Sequence, residues 1–158
     1  MALTSPILVA YDGSPEARAA LARAAALFAG RPAVIATVWE PGLASVVPDP
    51  AGIGGPAAPV DIGQVAEVDE IMSNRAASIA AEGVARAAEA GVRATPVASE
   101  DEGNVAETIT AIADDHDVDV VVVGSRGHSG LKARLLGSTS ESILHHCRRP
   151  VLVVRESP

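Results

Sequence analysis

Four consecutive valines, Val120 to Val123, stand between Asp119 and Gly124 with no polar residue among them. So short a run is a strand rather than a helix, because β-branched side chains pack well on a pleated surface. It also lacks polar alternation, so both of its faces must be covered by apolar neighbours. That is the condition of a strand inside a parallel sheet flanked by helices. The predicted strand runs from Val118 to Gly124, and Ile7 to Ala10, Ala33 to Trp39 and Val151 to Val154 have the same character. A further strand over Arg93 to Ser99 contains Pro96, which cannot donate to a ladder and so predicts a sheet edge.

Helical segments separate these runs. Ser14 and Pro15 supply an N-cap and a first-turn proline for a helix through Phe28, which Gly30 and Pro32 stop. A long helix is predicted from about Val65 to Ala90, ending at Gly91, although Gly83 within it costs about 1 kcal/mol relative to alanine. Asn104 with Glu107, and Ser138 with Glu141, have capping-box spacing and predict helices to about His116 and His146. The resulting βαβαβαβαβ order predicts one doubly wound α/β domain over residues 1–158, a five-stranded parallel sheet with helices on both faces. Only the Pro/Gly-rich segment at about 41–64 lacks periodicity, and it reads as either disordered or a mobile cover.

Composition narrows the function. Hydrophobic residues make up 48% of the chain and aromatics 2%, so the core is aliphatic and suits close helix–strand packing. A net charge of −8 argues against a nucleic-acid partner, which needs a basic face. No apolar stretch approaches the ~20 residues of a membrane span. The opening "MALTSPILVAYDG" has no basic n-region and does not read as a signal peptide. The single cysteine, Cys147, excludes an internal disulfide and fits a reducing compartment, so a cytoplasmic protein is expected. Beside it, His145 and His146 point about 100° apart on a helix, whereas chelation uses i, i+4 spacing; they read as cations at a helix end.

In such folds ligands lie at the carboxyl ends of strands, where strand order reverses. The first strand ends at "YDGS" and the fourth at "GSRGHSG", so neighbouring strands would bring these loops to one mouth. Gly124, Gly127 and Gly130 permit positive φ and close backbone approach. Gly137 and Ser138 begin a helix whose unpaired amides favour an anion, and Ser138, Thr139 and Ser140 add hydroxyls. Arg126, Lys132 and Arg134 concentrate positive charge in an acidic chain. This reads as a phosphate site more than as a plain capped turn. Neither the Gly-x-x-x-x-Gly-Lys-Ser/Thr loop nor the dinucleotide pattern Gly-x-Gly-x-x-Gly is present.

The spacing that does occur is Gly124-x-x-Gly127, nine residues, then Gly137-Ser138. It resembles the nucleotide-binding branch of the universal stress protein family, as do "ILVAYDGSPEARAAL", "ATVWEP" and "CRRPVLVV". The resemblance implies an adenine nucleotide alpha hydrolase-like fold with strand order 3-2-1-4-5. It implies ATP as ligand, with Asp12 beside adenine and ribose, Ala10 and Tyr11 in the pocket wall, and Val38 offering backbone contacts to the base. Val123 and Gly124 would line the ribose side, Gly127 would lie beneath the phosphates, and Gly137, Ser138, Thr139 and Ser140 would hold them, with Mg2+ or Mn2+ bridging. It also implies a homodimer through Val151 to Val154. His128 falls at a variable position and receives no role. Hydrolysis needs a positioned base or water-orienting group, and Asp12 would lie at the nucleoside end. The reading is therefore an ATP-binding regulatory or stress-response module with slow or no hydrolysis. The alternatives are a dimeric interaction module with an empty pocket and a sensor of another adenine nucleotide such as cyclic AMP.

Overall fold

In the computed structural model the described residues are 5–42, 62–101, 103–125 and 136–155. The element order is β1 (Ile7–Ala10), α1 (Pro15–Leu27), β2 (Ala33–Trp39), α2 (Ile62–Glu89), β3 (Ala94–Glu100), α3 (Val105–Asp115), β4 (Val120–Gly124), α4 (Ser138–His146) and β5 (Val151–Val154). All pairings are parallel and the sheet order is β3-β2-β1-β4-β5. Ile7 faces Ala33 on one side and Val120 on the other, so β1 is central. The strand with Pro96 lies at an edge, as the missing donor requires.

The sheet is covered on both faces by aliphatic layers. One gathers Ile7, Val9, Ile35 and Val122 under Ala17, Ala20, Leu21 and Ala24 of α1 and Ala87 of α2. The other gathers Leu8, Val34, Val121 and Val123 under Ala106, Ile109 and Ala113 of α3 and Ile143 of α4. Successive residues of a strand serve opposite layers, which is why the four valines needed no polar alternation.

The local signals act through identifiable contacts. Ser14 Oγ accepts the amide of Ala17 at 3.1 Å, with Pro15 as the first helical residue. Asn104 caps α3 by accepting the amide of Ala106 at 2.9 Å. Gly30 and Gly91 take φ of +81° and +77° after α1 and α2, where a side chain would be strained. The fourth strand begins two residues later than predicted, because the Val118 amide is still bonded to the Ala113 carbonyl of α3 and Asp117 turns the chain with φ of +47°.

Two further expectations change. The long helix starts at Ile62 rather than about Val65, so the Pro/Gly-rich segment is shorter than expected; its residues 43–61 lie outside the described part. Gly83 is also more than a tolerated helix breaker. A Cβ there would stand 2.6 Å from Ile35 Cγ2 and 3.0 Å from Tyr11 Cδ1, so its absence lets α2 lie directly on the sheet.

The chain runs from β1 through α1 to β2 and β3 on one side, then crosses by α3 to β4 on the other. The reversal falls between β1 and β4, and their carboxyl ends open into a common mouth.

Candidate functional site

A cleft of about 300 Å³ occupies that mouth. It is bordered by Ala10, Tyr11 and Asp12 after β1, Val38 of β2, Val123 and Gly124 of β4, and Gly137, Ser138, Thr139 and Ser140 at the start of α4. The sequence-predicted candidates Arg126 and Gly127 lie outside the described residues, as do His128, Gly130, Lys132 and Arg134. Ala17, Ala36, Val105, Ile109 and Ile143 also line the cleft and were not anticipated. A signal for two of them was present: Val105 and Ile109 are i, i+4 on a helix whose cap, Asn104, follows the carboxyl end of β3.

The β1 side is built from a tight turn. Asp12 Oδ1 accepts the amide of Ser14 at 2.9 Å, Gly13 takes φ of +79°, and Ser14 then opens α1. The strand pairing extends beyond Ala10, since the Tyr11 amide donates to Ala36 O at 2.8 Å and Thr37 Oγ1 donates to Tyr11 O at 2.8 Å. Tyr11 borders the cleft, but its ring is buried in the opposite layer with α1 and α2. There its hydroxyl donates to Glu82 Oε1 at 3.1 Å, and Arg18 and Arg86 reach the same oxygen at 3.0 and 2.7 Å. Burial is the main reason that the Tyr11 phenol is held above its ordinary range. The bond from Arg86 is the first reason that the Glu82 carboxyl is held below its own.

The opposite side is the first turn of α4. Gly137, not Ser138, is its N-cap, with φ of −64° and no side-chain cap bond, so the expected Ser138–Glu141 box does not form. The Glu141 amide instead bonds the Gly137 carbonyl at 2.9 Å. Ser138 and Thr139 are exposed and border the cleft. Ser140 is buried and donates its hydroxyl to Gly124 O at 2.7 Å. The Gly137 amide donates to Ser125 O at 2.8 Å, and the Ser125 amide to Val154 O of β5 at 2.8 Å.

Gly124 was expected to permit positive φ and close backbone approach; it is not among the described glycines with positive φ, and the close approach is what it serves. Its requirement is space. A Cβ would lie 3.1 Å from the carbonyl carbon, oxygen and Cβ of Glu16 in the first turn of α1. The end of β4 therefore sits directly against a second helix start.

The cleft is thus divided. Ala36, Val38, Val105, Ile109 and Ile143 make an apolar part, and the opening turn of α4 presents amides, hydroxyls and the positive end of a helix. Such a cavity accommodates a molecule with a flat apolar portion and an anionic one. Among the described residues no group of three histidine, cysteine, aspartate or glutamate side chains stands ready to hold a metal, and no helix is long and apolar enough to cross a membrane.

Residues 4–155 match the Universal stress protein family. The chain belongs to that family. Universal stress protein MJ0577 of Methanocaldococcus jannaschii is 45% identical over 49 residues, a match spanning 31% of this chain and 30% of that protein. The structure of MJ0577 superposes with a TM-score of 0.76 at 23% identity, covering 98% of both chains. The universal stress protein of Archaeoglobus fulgidus in complex with dAMP gives a TM-score of 0.63 at 21% identity, covering 97% of this chain and 98% of that one. A universal stress protein in complex with cAMP gives 0.63 at 24% identity and covers 98% of both chains. At this identity the structural likeness speaks for the fold, in which this universal stress protein's cleft occupies the strand-order reversal.

Proposed function

We propose that this universal stress protein binds ATP and acts as a regulatory module in a stress response, with slow or no hydrolysis. The observation that carries the reading is the two-part cleft. Its polar end is the helix start at which the spacing Gly124-x-x-Gly127, nine residues, Gly137-Ser138 terminates. In this reading the adenine occupies the apolar part, with Ala10 and Val38 at its wall and Asp12 beside the ribose. Val123 and Gly124 flank the sugar, and the amides of Ser138 to Ser140 with the Ser138 and Thr139 hydroxyls receive phosphate oxygens, the Gly137 amide being held by Ser125 O. Arg126 and Gly127 complete the phosphate end on the strength of the motif alone. Mg2+ or Mn2+ arrives with the nucleotide, since hard cations bound through phosphates keep several waters and need few protein ligands.

The slow turnover of this reading is supported by the described part of the lining. Asp12 is the carboxylate among the described lining residues, and one of its oxygens already accepts the Ser14 amide at the nucleoside end. A general base must instead reach the water that attacks the terminal phosphate.

A second adenine-nucleotide reading has its own support, because related proteins of the same fold were solved with dAMP and cAMP. Denaturing the purified protein and analysing the released small molecules by mass spectrometry separates the two. Recovery of ATP or ADP, with a thermal shift on adding Mg-ATP, supports the first. Recovery of AMP or cyclic AMP favours the second. No nucleotide and no shift with any of them would sink both and leave an interaction module.

The reading includes a cytosolic homodimer. β5 is a sheet edge whose Val151, Leu152 and Val153 are only half-buried, and unpaired apolar edges invite a second strand.

A further inference from the structure

Among the described residues the buried polar side chains are Ser14, Thr37, Ser125 and Ser140, all hydroxyls and all toward the carboxyl edge of the sheet. Burying a hydroxyl is costly unless it is hydrogen-bonded. Ser14 caps α1, and Thr37 holds the carbonyl of Tyr11. Ser140 does something different, because it joins β4 and α4, two elements separated in the sequence by residues 125–137. Its 2.7 Å bond runs from the first turn of α4 to the carbonyl of Gly124 at the end of β4. Gly124 also lies close to α1, where a Cβ would stand 3.1 Å from the main chain of Glu16. The end of β4 is thereby fixed between two helix starts, by missing volume toward α1 and by a donated hydrogen toward α4.

We infer that Ser140 is a positioning residue for the anionic end of the cleft. Its hydroxyl sets where the amides of Ser138 and Thr139 stand relative to Gly124, and does not itself meet a phosphate. The inference rests on the proposed nucleotide reading for its ligand, but the geometry it describes exists in the unliganded chain. The second tie between these elements, Gly137 N to Ser125 O at 2.8 Å, is main chain to main chain and survives any substitution at 140. Loss of the hydroxyl should therefore loosen the helix start without detaching it. Ligands that reach that turn should suffer, and ligands that stop at the ribose should not.

The test uses the full chain with Ser140→Ala and Ser140→Thr, titrated calorimetrically with Mg-ATP and with adenosine. Ser140→Ala should weaken Mg-ATP about tenfold, the upper range for one lost hydrogen bond, and leave adenosine within about twofold. Ser140→Thr, which keeps the donor, should restore Mg-ATP affinity. Equal losses for both ligands, no loss for Mg-ATP, or a threonine variant as weak as the alanine one would each overturn the assignment. Amide exchange on the unliganded proteins gives an independent readout. Ser140→Ala should speed exchange in the first turn of α4 and leave α3 unchanged, and an unchanged first turn overturns the inference. Should the native chain bind neither ligand, the nucleotide reading fails, and the exchange result alone decides the role of Ser140.

Discussion

Gly83 shows how a residue that weakens its own helix can strengthen the molecule. Replacing it with alanine should gain about 1 kcal/mol of helix propensity. The new Cβ would fall 2.6 Å from Ile35 Cγ2, in a fully buried layer that cannot yield freely. Overpacking of this kind typically costs about 1–3 kcal/mol, so Gly83→Ala should be net destabilising, read as a lower urea midpoint. A more stable variant would show that α2 can lift from the sheet without loss. Tyr11 offers a cleaner spectroscopic reading, because it is the one tyrosine of the chain. Burial raises its folded pKa above the unfolded value of about 10. The folded state therefore keeps a proton that the unfolded state releases. This contribution to stability is complete below about pH 10 and is lost as pH rises through the folded value. Tyrosinate absorbance in the native protein should appear at higher pH than in denaturant; coincident curves would contradict the buried placement.

At the scale of elements, α4 is the piece whose use depends on its first turn. An acidic side chain there favours the free helix, because it meets the positive end of the dipole. The same charge would repel a bound phosphate. Ser138 is exposed and makes no cap bond, so Ser138→Asp should leave the unliganded melting temperature unchanged or raise it by about 1–4 °C. It should abolish the thermal shift given by Mg-ATP. A retained shift would place the phosphates elsewhere. The capping-box pattern misled at this helix because Ser-x-x-Glu spacing is satisfied one residue past the true cap, Gly137. Asn104 shows the same pattern one helix earlier with the cap where the spacing put it, so the motif marks a helix start more reliably than it names the capping residue.

For the whole molecule, the proposed dimer predicts a sedimentation coefficient of two chains at micromolar concentration, and a monomer there would count against pairing through β5. Much of the architecture was legible in the chain. Non-alternating runs such as Val120 to Val123 demanded a sheet covered on both sides, and the intervening caps and glycines placed the helices to within a few residues. Strand order was harder, since nothing in a run of valines says which neighbour it takes; the likeness of motifs carried that expectation, and the 3-2-1-4-5 order agrees with it. The cleft was legible in its glycine and hydroxyl segments, because turn residues leave a local signature. Its apolar lining was not, because Ala36, Val105, Ile109 and Ile143 look like any core residues until three elements converge on them. The sequence by itself determined the elements, their alternation and the turn-forming segments between them, since these follow from local periodicity and backbone freedom. Only the tertiary structure decided which side chains face which way. It turned the ring of Tyr11 to the far layer, brought Gly83 and Gly124 into close approach with their neighbours, and gave the Ser140 hydroxyl to β4. Each of these depends on what packs against the residue from a distant part of the chain.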